Sequence, residues 1–225
     1  MDWQALLLSL KLASVTLLVL LPVGLILGRW LATRQFQGKA WVEAAVVLPL
    51  VLPPTVLGYY LLMGLGGASP IGRWANETLG LQLSFSFLGL VVASLVFNLP
   101  FMVQPIQRAF EAIPPNLTEA ASVCGLSAWQ TFLRVELPLA WPGVLSAMVL
   151  TFVHTLGEFG VVLMMGGSIP GETKTMAIAI YDRVQALDWQ SADQMALLLL
   201  VLSLVAVAAS FVSTAYFMRR KGQSA

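Results

Sequence analysis

Five long stretches of this chain carry no charged side chain: Leu12 to Gly28, Ala44 to Gly72, Thr78 to Gln107, Leu137 to Gly157 and Gln194 to Met218. About 20 mostly apolar residues in helical form cross a bilayer core, and the first stretch reaches that length once Arg29 snorkels from its end. The expected fold is therefore all-α and polytopic, with five transmembrane helices. Between Phe159 and Asp193 two shorter apolar pieces flank Pro170, Gly171, Glu172 and Lys174, leaving room for a re-entrant segment or a sixth helix. Composition excludes the water-soluble alternative. Only 10% of the 225 residues are charged and 58% are apolar, whereas a soluble domain carries about 25% charged residues. The net charge of +1 gives no field for nucleic acid, and the lone cysteine, Cys124, has no disulfide partner.

The first stretch could be taken for a secretory signal. Asp2 and Lys11 cancel in front of it and no A-x-A site follows, so a retained helix is expected, with Gly24 and Gly28 spaced as a small-xxx-small packing face. Five crossings put the termini on opposite sides. With the N-terminus outside, inner segments hold eight of the twelve Lys and Arg residues, ending in Arg219, Arg220 and Lys221. The whole chain, 1–225, then reads as a single transmembrane domain with a cytoplasmic loop at 108–138.

Several prolines fall inside the stretches: Pro22 in the first, Pro49, Pro53 and Pro54 in the second, Pro100 and Pro105 in the third. Interrupted helices are expected there, either as kinks that fit a bundle or as the walls of a pathway. The segment Leu48 to Pro54 is the best place for a pathway. His154 and Glu158, four apart, should share a helix face. They are expected beside the path, together with Pro53, Pro54 and Thr151, or as a structural pair near the outer end. No Lys or Arg lies within a span away from its ends, so a dianion would meet no strong trap.

The loop between the third and fourth stretches reads as two short helices. Asn116 with Glu119 forms a capping-box pattern, Gly125 suits a left-handed C-terminal stop, and Ser127 with Gln130 repeats the start signal. The second helix should break at Pro138. Leu117, Ala120, Ala121 and Cys124 share one face, while Leu126, Trp129, Phe132 and Leu133 add bulk. Such a surface lies on the membrane interface or docks into a soluble partner.

Glu119-Ala120-Ala121, then Gly125, then Leu137-Pro138, resembles the EAA loop of ABC-importer permeases. The resemblance implies a type I ABC importer permease fold in a bacterial or archaeal inner membrane. It also implies that Glu119, Ala120, Ala121, Gly125, Leu137 and Pro138 form the coupling site for a cytoplasmic ATPase. Three further segments, Pro49 to Pro54, Leu156 to Gly160 and Ile169 to Thr175, resemble the molybdate branch in particular. Sulfate and tungstate permeases look similar in the same places. The implied cargo is a tetrahedral oxyanion, molybdate or tungstate first, with sulfate or thiosulfate as the alternative. The implied partners are a second copy of the chain, two ABC ATPase subunits, an external oxyanion-binding protein and membrane lipid.

No G-x-x-x-x-G-K-[ST] motif occurs, since Gly38-Lys39-Ala40 lacks the earlier glycine and the hydroxyl. The chain is thus expected to be a transport subunit rather than an enzyme, with no cofactor of its own; ATP and Mg would be used by the ATPase. One histidine and no H-E-x-x-H exclude a zinc protease. An ATP-independent channel or secondary transporter accommodates the broken helices but leaves the two-helix loop unexplained.

Overall fold

The computed structural model describes residues 1–222, with side chains to Thr214. Among the described residues four helices are long and apolar enough to cross a membrane, and the number is five when one bent pair is taken as a single span. The chain opens with α1 (Trp3–Thr33), started by Asp2, whose carboxylate accepts from the Ala5 amide. Then come α2 (Lys39–Val51), α3 (Pro54–Leu65), α4 (Pro70–Leu79) and α5 (Phe87–Glu111). The loop helices α6 (Pro115–Val123) and α7 (Ala128–Thr131) lead through a π-turn, Phe132–Glu136, into α8 (Leu137–Leu156). Two short helices, α9 (Gly160–Gly166) and α10 (Met176–Gln185), precede the long α11 (Trp189–Gly222).

Side-chain contacts fix the directions. On α1, Leu12 clusters with Leu90 of α5, a Cβ on Gly24 would strike Met102, and one on Gly28 would lie 2.8 Å from Ile106 Cγ2 and 3.1 Å from the Gln107 amide. The two helices run parallel at backbone contact, as the small-xxx-small spacing requires. The chain between them must return to its starting side, and α2 with α3 makes that return across a 109° bend. Helix α8 is antiparallel to α5, with Gly143 against Ala109 and His154 against Asn98. Helix α11 sets out from the end where α1 begins, because Met195 clusters with Ala5, Leu6 and Met176. At its start the Ser191 amide donates to the Asp188 carboxylate; the Ser191 hydroxyl first, then that amide and the neighbouring Arg183, hold the carboxylate below its ordinary range.

Three readings of the sequence need correction. Pro22, Pro49, Pro100 and Pro105 do not interrupt their helices; α1, α2 and α5 run through them. Among these prolines Pro53-Pro54 alone breaks a helix, because a residue before proline is pushed out of the α region, and both Leu52 (ψ 139°) and Pro53 (ψ 134°) precede one. Pro138 likewise causes no break: the helix runs on from α7 through the π-turn into α8, and Pro138 sits two residues past that turn. Asn116 caps nothing. Pro114 takes the cap position in extended conformation and Pro115 the first helical one, so Asn116 lies inside α6. The second start signal is formed, with Ser127 and Gln130 exchanging bonds of 3.3 and 2.9 Å. The segment after Glu158 holds two helices of 7 and 10 residues, too short to span.

Candidate functional site: a cleft where two broken helices meet

The break at Pro53 lies level with a second break. Helix α8 ends at Leu156, about halfway along α5, and the chain resumes toward the end where α1 begins, as α9, after Gly157, Glu158 and Phe159. The two breaks touch. A Cβ on Gly160 would lie 3.1 Å from Pro54 Cβ, and one on Gly58 would overlap Met164, so the backbones of α3 and α9 are in close contact. A cleft of about 490 Å³ opens here, lined by Pro54, Thr55, Phe97, Val153, His154, Gly157, Glu158, Phe159 and Gly160. No lysine or arginine lines it.

Of the residues expected beside a path, Pro54, His154 and Glu158 line this cleft. Pro53 adjoins it, and Thr151 is wholly buried, away from the lining. His154 and Glu158 do not share a helix face, because α8 ends between them. Both bind Asn98 instead. Its amide nitrogen donates to Glu158 Oε1 and, at 2.8 Å, to the Ser94 carbonyl, while Ser94 Oγ lies 2.5 Å from Glu158 Oε2. With both amide hydrogens used, Asn98 offers only its oxygen to His154 Nδ1 at 2.9 Å, so that ring nitrogen carries the proton. His154 stacks on Phe101 at 3.9 Å and tilts against Phe97 at 5.1 Å. Ser94 and Asn98 were missed in the sequence because the third stretch was bounded by charge alone. Two amide or hydroxyl side chains one turn apart inside an apolar span are the signal that was there.

Beyond α9, the Ile169 to Thr175 segment is a self-bonded turn. Thr173 Oγ1 donates to the Gly166 carbonyl (2.7 Å) and accepts from the Ile169 amide (3.0 Å), while Lys174 pairs with Asp182 at 2.7 Å. The Met176 amide donates to Ser9 Oγ at 2.8 Å, tying this turn to the start of α1.

The loop between α5 and α8 spans Ala112 to Glu136, since Leu137 and Pro138 belong to α8. Glu119 and Ala120 are exposed, Ala121 is buried, and Gly125 takes φ 77°, a left-handed conformation suited to glycine. Leu117, Val123, Trp129 and Leu133 are exposed, Val123 to 89%. Within its own chain this apolar surface is uncovered.

An all-helical bundle with a cleft at two broken spans and a bare two-helix loop at one end has the build of a permease. Residues 21–223 match the family described as "Binding-protein-dependent transport system inner membrane component", and the chain belongs to that family of transport components in the inner membrane. Among individual relatives, it is 50% identical over 196 residues to the molybdenum transport system permease protein ModB of Azotobacter vinelandii, covering 87% of this chain and 86% of that one. It is 41% identical to ModB of Escherichia coli K12 over 82% of this chain and 80% of that one. It is 32% identical to the sulfate transport system permease protein CysT of E. coli K12, over 78% of this chain and 64% of that one. The fold resembles a bacterial ABC transporter for alginate import, with TM-score 0.77, 20% identity and coverage of 95% and 78%. It also resembles the MetNI methionine ABC transporter, with TM-score 0.68, 20% identity and coverage of 96% and 94%. These structures bear out the importer permease fold.

Proposed function

We propose that this chain is the membrane-spanning subunit of an ATP-driven importer that moves molybdate, and tungstate with it, inward across the plasma membrane. The observation that carries this reading is the 50% identity to a molybdenum permease over 87% of the chain. In this reading two copies form the pathway, because one cleft open to the side is too little wall for a gated passage. Two cytoplasmic ATPase subunits supply the work, using ATP and Mg, and an external binding protein delivers the oxyanion. The N-terminus faces outward and the C-terminus inward, which puts the loop at 112–136 in the cytoplasm.

The exposed Glu119, Ala120, Val123 and Trp129 would then meet the ATPase, with Gly125 making the turn between the two loop helices. The cleft would serve as part of the path. Its walls are mostly apolar, with Thr55, His154 and the hydrogen-bonded Glu158 carboxyl as the polar groups and no fixed cation, so nothing there traps an anion. Oxyanions of one charge and shape differ mainly in size, which a closed hydrogen-bonding pocket senses and such a path does not. Selectivity therefore resides in the binding protein.

The test is ATP-driven uptake into vesicles holding this subunit and its ATPase, with the binding protein outside. Molybdate uptake should vanish without that protein and resist excess sulfate. Equal entry of sulfate would transfer the assignment to the sulfate branch, to which the 32% identical relative belongs. Uptake without ATP would return the chain to the channel or secondary-transporter class.

A further inference from the structure

At the loop end of the bundle Glu136 is buried, its side chain 7% exposed, although it closes a segment that is otherwise largely exposed. Its partner comes from 107 residues earlier in the chain. Arg29 of α1 forks onto the carboxylate, Nε to Oε2 and Nη2 to Oε1 at 3.1 Å, and lies over the Phe132 ring at 5.2 Å. Arg29 thus grips the first and last residues of the π-turn at once. Phe132 in turn packs on Trp129 of α7 at 5.4 Å and on Phe110 of α5 at 6.3 Å.

Beside this contact α1 and the loop stand apart. A cavity of about 670 Å³ separates them, walled by Ile26, Trp30 and Thr33 on one side and by Thr118, Ala128 and Trp129 on the other. The Arg29 contact is therefore the joint across an open groove. A bidentate guanidinium–carboxylate pair fixes orientation as well as distance. A π-turn carries one extra residue, and relaxing it to α geometry would swing Glu136 about 100° around the helix and out of reach of Arg29. A buried pair gains little net stability against its own desolvation; what it can fix here is the register.

We propose that the Arg29–Glu136 pair locks the π-turn to α1, so that a displacement of the loop is passed to the first span, and through Gly24 and Gly28 to α5, instead of being absorbed by the turn. The inference rests on the reading of the loop as the ATPase contact. Arg29 and Glu136 are positioning residues in it.

The experiment uses the complete transporter in lipid nanodiscs or vesicles, with Glu136→Gln, Arg29→Gln and the exchange Arg29→Glu with Glu136→Arg. Uptake per ATP hydrolysed is measured, together with the distance between spin labels at positions 34 and 128, with and without trapped nucleotide. In Glu136→Gln the ATPase should still co-purify and hydrolyse ATP, while uptake per ATP falls at least about tenfold and the 34–128 distance distribution broadens. The exchange should restore most of both. Unchanged uptake per ATP in the single variants, or uptake and hydrolysis falling in parallel with an unbroadened distance, overturns the lock. Labels on the permease without ATPase report the lock alone, and their failure to broaden overturns it. A wild-type permease that retains no ATPase defeats the proposed function instead.

Discussion

His154 and Glu158, four residues apart in the chain, do not touch; Asn98 of α5 stands between them and binds each with a different atom of its amide. Three elements therefore meet through one side chain at the depth where α8 stops. In Asn98→Leu, buried Glu158 keeps only its Ser94 bond and the half-buried His154 Nδ1–H loses its acceptor; a polar group left unsatisfied in full burial costs about 1–3 kcal/mol, and less where water reaches it. Thermal unfolding in detergent should show a clearly lowered midpoint. Glu158→Gln keeps an acceptor toward Asn98 and should lose much less. Equal melting of Asn98→Leu and wild type would show that the network does not hold the break.

The parallel contact of α1 with α5 gives a second prediction, independent of function. Gly28→Leu places a branched side chain where Ile106 and the Gln107 backbone already stand closer than van der Waals contact to a bare Cβ. Overpacking of this kind costs about 1–3 kcal/mol, more where backbone must yield. Gly38→Ala is the contrasting case: φ is 91° there, but nothing lies within 4 Å, so only local backbone strain is added. Gly28→Leu should reduce folded yield in membranes well below Gly38→Ala.

What could be read in the chain depended on the length scale of the interaction. Apolar runs declare spans because the bilayer imposes one length on all of them, and Gly24 and Gly28 declare a contact because only small residues allow it. Pro53-Pro54 was legible as a break, since two successive residues are driven from helical angles. Single prolines at 22, 100 and 105 looked alike in sequence but cost one hydrogen bond each, which a long packed helix tolerates. The Asn98 network and the Arg29–Glu136 pair were not legible, because each joins residues more than 50 apart whose meeting depends on which helices are parallel.

Orientation is tested by cysteine labelling. With Cys124→Ser as background, Gln37→Cys between α1 and α2 and Ser224→Cys, beyond the described residues, should react with an impermeant maleimide only from the cytoplasmic side. Labelling of either from outside in intact cells would invert the topology drawn from the eight inner cations.

Loop variants separate docking from simple membrane contact. Gly125→Val puts a β-branched residue at φ 77°, which costs about 1–2 kcal/mol in the left-handed region, and Glu119→Lys reverses an exposed charge. Neither residue touches a span, so both variants should insert normally. Uptake should fall in each, and ATPase retention on purification should fall in Glu119→Lys. Normal uptake and retention in both would leave the loop as a membrane-surface segment.

The meeting of Gly160 with Pro54 yields the sharpest test of the cleft. A Cβ at 160 would lie 3.1 Å from Pro54 Cβ and 3.4 Å from the Thr55 amide, a spacing that a shift of a few tenths of an ångström relieves. Gly160→Ala should therefore transport nearly as wild type does. A leucine at 160 carries three further carbons into the same gap and must either wedge α3 from α9 or fill the cleft beside His154. In both cases the two breaks can no longer close on each other, so uptake should be lost. The bundle should persist, because α1, α5 and α8 pack elsewhere, and ATP hydrolysis should continue. If Gly160→Leu imports at the wild-type rate, the cleft is not on the path, and the passage must be sought on another face of the bundle.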